Sequence, residues 1–263
     1  METERYLVTF MVAVTAAASY QFRLLTASGA IAAFFSGVSI FLGFGARGLV
    51  LLGVFFLTSS LLSIFKHQRK MLLGDLHEKG STRDWAQVAA NGGTAAIAGI
   101  VNHLYPDPVW VLAFSISLAS ANADTWASEL GILSKNPPYS VKTFKMVPRG
   151  TSGAVSLFGT FAAGAGSLLI AAAALLLFEL ELLVAATVFF VGMAGMMIDA
   201  LLGASVQALY ECPGCRAKTE KKIHCGKSTM LSSGYRVMNN DVVNFSACFI
   251  SALMGISFYK VFF

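Results

Sequence analysis

The sequence predicts an all-α, polytopic membrane protein with about eight transmembrane helices, forming a single integral membrane domain over residues 1–263. Three observations carry this expectation. Hydrophobic residues make up 56% of the chain and charged residues only 13%, whereas soluble domains carry about a quarter charged residues. The apolar runs are long and continuous rather than alternating, which selects helices over a closed barrel, the only other backbone a bilayer accepts. The cations fall into every second interval between runs, the asymmetry expected of membrane topology.

The predicted spans are 6–20, 24–44, 49–65, 86–104, 109–130, 153–178, 182–209 and 242–263. The first and fourth are short against the roughly 20 residues a hydrocarbon core requires. Arg23 follows the first span, and Lys66, Arg69, Lys70, Lys79 and Arg83 follow the third. Lys135, Lys142, Lys145 and Arg149 follow the fifth, and Arg216, Lys218, Lys221, Lys222, Lys227 and Arg236 follow the seventh. The other side has only Arg5, Arg47 and Lys260. The positive-inside rule therefore places the basic loops in the cytoplasm and both termini outside. It also accounts for the net charge of +5 without invoking nucleic acid as a partner. Glu2 and Glu4 ahead of the first run argue against a cleavable signal peptide.

The polar residues inside or beside the spans gather at the cytoplasmic ends. They include Thr26, Ser28, Asn91, Asn122, Asp124, Glu129, Thr151, Ser152, Asp199, Gln207, Asn239, Asn240, Asp241 and Asn244. Ionisable groups within spans are costly, which makes them functional candidates. Thr26-Ala27-Ser28-Gly29-Ala30 is echoed by Thr151-Ser152-Gly153-Ala154, and both open a predicted span. Internal duplication of this kind is common in membrane proteins, and small residues at a helix start are equally common for close packing.

The fifth span and the loop after it suggest a metal-and-phosphate site. Asn122 and Glu129 are seven residues apart and share a helix face, while Asp124 and Ser128 share another. Such oxygen donors suit Mg²⁺, with Asp124, Glu129, Asp199 and Asp241 as candidate ligands. Lys142, Lys145 and Arg149 can grip a triphosphate, and Gly150, Thr151, Ser152 and Gly153 are expected to open the next helix with free N–H groups. The loop is not a Walker A motif, because no Gly-Lys-Ser/Thr ends it. Residues 210–238 form a cytoplasmic loop with Cys212, Cys215, His224 and Cys225. The spacing suits a structural Zn²⁺ site, and free or redox-active thiols are the competing reading.

Several blocks together carry a family resemblance. They are Leu25-Thr26-Ala27-Ser28-Gly29, Arg83-Asp84-Trp85-Ala86-Gln87, Ala90-Asn91-Gly92, Asn122-Ala123-Asp124-Thr125-Trp126-Ala127-Ser128-Glu129, Gly150-Thr151-Ser152-Gly153, Asp199 with Gly203, and Asn240-Asp241-Val242-Val243-Asn244. Nearly the whole chain resembles an integral membrane family, long of unknown function, whose plant member is phytyl-phosphate kinase. More distantly it looks like the CTP-dependent lipid kinases, such as dolichol kinase and phytol kinase. The resemblance implies transfer of a phosphoryl group from a nucleoside triphosphate, CTP by analogy, to an isoprenyl monophosphate or isoprenol. Asn122, Lys142, Lys145, Arg149 and residues 150–153 would then bind nucleotide, with Asp124, Asp199 and Lys145 catalytic. Arg83, Asn91 and Ser28, with the basic loop that starts at Lys66, would meet the acceptor phosphate. The alternatives are a transporter or flippase with an acidic ion site, which wants its charges near the bilayer centre, and a scaffold built around the cysteine loop.

Overall fold

A computed structural model describes residues 2–65 and 82–262. These form the helices α1 (Glu2–Gln21), α2 (Ala27–Ile64), α3 (Trp85–Leu104), α4 (Pro108–Gly131), α5 (Leu157–Phe178), α6 (Leu182–Ser205) and α7 (Asn240–Phe262). Short strands occupy two of the loops: β1 (Tyr139–Ser140), β2 (Ala154–Val155), β3 (Leu209–Glu211), β4 (Lys218–Thr219), β5 (Ile223–His224), β6 (Lys227–Ser228) and β7 (Met230–Ser233). β1 pairs with β2, β3 lies between β4 and β7, and β5 pairs with β6, all antiparallel. Each predicted span falls on one of these helices or on part of one, with shifted ends. The sixth begins at Leu157 rather than residue 153, and the seventh stops at Ser205 because Leu209–Glu211 is a strand.

Helix starts follow their local chemistry. Asp84 and Gln87 form a reciprocal capping box at α3. Asp107 accepts from the Val109 N–H at α4, with Pro108 in the first turn. Thr26 and Ser156 cap α2 and α5 through the Gly29 and Gly159 N–H groups.

The second and third predicted spans are the two arms of α2. Gly45 sits between them with φ +63°, outside helical geometry. A Cβ on Gly37 would lie 3.9 Å from Leu49 Cδ2. A straight helix would hold those residues about 18 Å apart, so the arms fold back on each other. Arms of this size are about 27 Å long, close to the hydrocarbon thickness.

α4 is the axis of the bundle and touches α2, α3, α5, α6 and α7. Its surface is buried continuously from Leu112 to Ala123. Phe114 stacks on Phe44 at 4.4 Å and meets the edge of Phe178 at 6.2 Å. Small residues permit the close crossings: a Cβ on Gly192 or Gly195 of α6 would collide with Ala119 or Ser120 of α4. Among the described residues, four helices, α2, α5, α6 and α7, are long and apolar enough to cross a membrane. α4 carries Ser115, Ser117, Ser120 and Asn122 inside the bundle, away from lipid, so its composition is less apolar.

The chain reverses direction at each connection, and the resulting ends differ. At one end the Thr26 N–H donates to the Arg83 carbonyl and the Arg83 N–H to the Leu24 carbonyl, both at 3.0 Å, joining the starts of α2 and α3. At the other, Arg47 pairs with Glu179 at 3.1 Å, and Asn102 Nδ2 donates to the Gly43 carbonyl at 2.8 Å. The Thr26 and Thr151 stretches, alike in sequence, differ in structure. Thr26 caps a helix, whereas Thr151 lies in a turn ahead of β2.

Candidate functional site

A cleft of about 530 Å³ opens at the end where α4 and α6 finish and α5 and α7 begin. Asp124 and Glu129 reach it from α4, Asp199 from α6 and Asp241 from α7. Arg83, Arg149 and Lys221 bring positive charge to the same walls.

The carboxylates are held by specific partners. Asn244, with its amide turned to satisfy its neighbours, donates Nδ2 to Asp199 Oδ2 at 2.8 Å and to the Asn240 carbonyl at 3.1 Å. Ser63 Oγ donates to Glu129 Oε1 at 2.6 Å. Asp199 lies near enough to Asp124 and Glu220 for their charges to interact. Arg83 lies over the Phe56 ring at 5.8 Å. Burial pulls its guanidinium below the usual arginine value, and the charge of Glu129 acts in the opposite direction.

Residues 150–153 form the floor as a turn rather than a helix start. α5 begins later, after its Ser156 cap, so the expected row of free helical N–H groups is not at the glycines. Gly150 and Gly153 have φ of +79° and +70°, a region that favours glycine. Gly153 also presses on α6: a Cβ there would collide with Ala204 and come within 2.6 Å of the Ala200 carbonyl. Ser152 Oγ donates to Gln207 Oε1 at 2.7 Å, and Gln207 Nε2 donates to Glu220 Oε1 at 2.8 Å. A polar relay thus runs from the turn to the cysteine loop.

Of the residues expected at the site, Asp124, Glu129, Asp199, Asp241, Arg83, Asn91, Arg149 and 150–153 do line this cleft. Four do not. Asn122 is fully buried, its Oδ1 accepting from Ser59 Oγ at 3.1 Å and its Nδ2 donating to the Gly166 carbonyl at 2.8 Å. It braces α2, α4 and α5 and lies away from the cleft wall. Lys142 and Lys145 are exposed and outside the cleft wall, because the β1–β2 pairing turns their loop outward. Ser28 is exposed beside Thr26 Oγ1, at 3.0 Å, and also misses the cleft. Lys66, Arg69, Lys70 and Lys79 lie outside the described residues. Glu220 and Lys221 enter unforeseen as wall residues, beside Gln207, one of the polar residues expected at this end. Nothing in the stretch Lys218-Thr219-Glu220-Lys221-Lys222 distinguished Glu220 from a solvated charge.

The donor set fits a hard divalent cation arriving with phosphate. Mg²⁺ is commonly held by one or two carboxylates, with phosphate oxygens and water completing the shell. Asp124 and Asp199 supply such a pair. Among the described residues, the dense four-ligand cluster is instead Cys212, Cys215, His224 and Cys225, whose ligand atoms all lie within 4.8 Å of one another. The Cys215 backbone N–H, with His224 beside it, holds the Cys212 thiol down at about 6, well below the ordinary thiol range. Its hydrogen bond with Cys215 pushes the Cys225 thiol up.

Comparison with known proteins places the chain. It is 31% identical over 262 aligned residues to Protein PGR of Arabidopsis thaliana, covering 90% of this chain and 89% of that one. An uncharacterized membrane protein of Methanocaldococcus jannaschii is 29% identical over 238 residues, covering 90% and 87%. Protein VTE6, chloroplastic, also of Arabidopsis thaliana, is 26% identical over 226 residues, covering 84% of this chain and 61% of that one. No solved structure matches. Residues 10–252 match the family model described as integral membrane protein DUF92, and the chain is a member of that family.

Proposed function

We propose that the chain is a membrane-embedded phosphotransferase. It moves a phosphoryl group from a nucleoside triphosphate, CTP on the family resemblance, to an isoprenyl monophosphate or isoprenol. The observation that carries this reading is the single cleft in which Asp124, Asp199, Arg83 and Arg149 face a glycine turn at one end of an apolar bundle. Eight membrane crossings, counting the arms of α2 separately, would put that end in the cytoplasm, where nucleotide is available. A transporter reading wants such charges at mid-bilayer, and here they lie at helix ends.

A phosphate acceptor is already a nucleophile, so the protein's task is positioning and charge neutralisation. Asp124 and Asp199 would hold Mg²⁺, which when bound neutralises charge on the transferring phosphate oxygens. Asn244 fixes the orientation of Asp199 through its 2.8 Å bond. Arg149 is anchored by Nη2 donating to the Lys135 carbonyl at 2.9 Å, and its side chain lines the cleft beside the turn. Arg83 and Asn91, across the cleft on the α3 side, suit the acceptor phosphate. The isoprenyl tail would leave the cleft between helices into the bilayer.

The test is purified protein with Mg²⁺, CTP or another nucleoside triphosphate, and a panel of isoprenols and isoprenyl phosphates, with products read by mass spectrometry. Asp124→Asn and Asp199→Asn should fold and lose roughly a hundredfold in turnover, the scale of losing one transition-state charge contact. Absence of product from every nucleotide and acceptor pair overturns the proposal.

A further inference from the structure

We infer that Cys212, Cys215, His224 and Cys225 hold one Zn²⁺, and that this metal fixes Glu220 in the wall of the cleft. The first half rests on ligand geometry. Cys215 Sγ and Cys225 Sγ are 3.8 Å apart, and His224 Nδ1 lies 3.5 Å from Cys215 Sγ and 3.3 Å from Cys225 Sγ. A tetrahedron with Zn–S of about 2.3 Å and Zn–N of about 2.0 Å has edges of about 3.8 Å between sulfurs and 3.5 Å between sulfur and nitrogen. The observed spacings are the edges of that tetrahedron. They are far from a disulfide, whose sulfurs sit about 2.05 Å apart. Cys212, buried beneath the loop, supplies the fourth corner, within 4.8 Å of the rest.

The local backbone also needs a staple. β4, β5 and β6 are two residues long, and most side chains from Lys218 to Lys227 face solvent. Such a segment has no core of its own, and small folds of this kind are commonly held by a metal or disulfides. Arg216, next to the ligand Cys215, and the ligand Cys225 itself take left-handed φ values of 58° and 52°. Residues other than glycine rarely do so unless their surroundings enforce it.

The second half rests on the position of Glu220. It lies five residues after Cys215 and four before His224, so both ends of its segment are tied to the cluster. Its Oε1 accepts from Gln207 Nε2 at 2.8 Å, and Gln207 Oε1 accepts from Ser152 Oγ at 2.7 Å. The metal would therefore act through Glu220 and Gln207 on the turn at Gly153. The inference is independent of the phosphotransfer reading, since metal content and backbone protection report on it without any substrate.

Intact protein, purified in detergent without chelator, should contain about one equivalent of zinc by elemental analysis, the complement of one tetrahedral site. Cys215→Ser and Cys225→Ser should each fall to near background, while Cys248→Ala, in α7, should keep the full equivalent. Wild-type protein without zinc after incubation with Zn²⁺ overturns the site, as does iron in its place, or either serine variant retaining the metal. Stripping the wild-type protein with a chelator should speed hydrogen exchange across residues 207–228 by about tenfold or more, as expected when a local unit opens. Unchanged exchange at Gln207 and Glu220 after zinc removal overturns the positioning role. This measurement on the wild-type chain holds even if the serine variants fail to fold.

Discussion

Replacing Asn122 with alanine tests whether that residue is a brace or a ligand. The side chain is fully buried and joins three helices. It accepts from Ser59 Oγ at 3.1 Å and Thr58 Oγ1 at 3.4 Å, and donates to the Gly166 carbonyl at 2.8 Å. The hydroxyls lose little, because Thr58 already donates to the Val54 carbonyl at 2.8 Å and Ser59 can turn to a carbonyl of its own helix. The loss is then chiefly the inter-helix bonds. Such bonds average about 0.6 kcal/mol in a membrane bundle and reach about 1.7 kcal/mol. With two of them at 3.1 Å or shorter, the Thr58 contact being long, and a small cavity, Asn122→Ala should cost about 1–3 kcal/mol. For a chain of this size that lowers Tm by about 2–12 °C. Thermal unfolding in detergent, with and without MgCTP, measures both expectations: a lower Tm, and a nucleotide-induced shift the same as in the wild-type protein. An unchanged Tm together with about tenfold weaker nucleotide binding, a change of about 1.4 kcal/mol, would refute the brace.

The turn at the cleft floor and the orientation of the bundle yield two further expectations. Gly153→Ala adds left-handed strain of about 1–2 kcal/mol and drives a methyl group into Ala204 and the Ala200 carbonyl. It should lower Tm and turnover together, while Gly164→Ala, whose new Cβ would find only Met193 Sδ at 4.0 Å, should change neither. A cysteine introduced at exposed Asn136 should react with a membrane-impermeant maleimide only after cells are opened; labelling of intact cells would reverse the assigned orientation.

Much of the fold was legible because the bilayer restricts what a sequence can hide. Long apolar runs, alternating basic loops and ionisable residues placed at a cost are all one-dimensional signals. That is why Asp124 and Asp199, distant in the chain, were both found at one end of the bundle. Asn122 lies away from the cleft for a definite reason. Helical phase puts it on the face of Glu129, but phase carries no depth, and seven residues amount to about 10 Å along the axis. Glu129 therefore reaches the cleft wall while Asn122 stays among Ser59, Thr58 and Gly166. Lys142 and Lys145 miss the cleft wall for a different reason: a loop has no periodicity, and their direction was set by the pairing of Ser140 with Ala154, far apart in sequence. Glu220 is the extreme case. It stands between buried Thr219 and a pair of lysines, and its place beside Gln207 depends on the ribbon that brings Cys212, Cys215, His224 and Cys225 together. A residue positioned through two such tertiary steps leaves no local trace, and only the cysteine spacing that anchors its segment was visible beforehand.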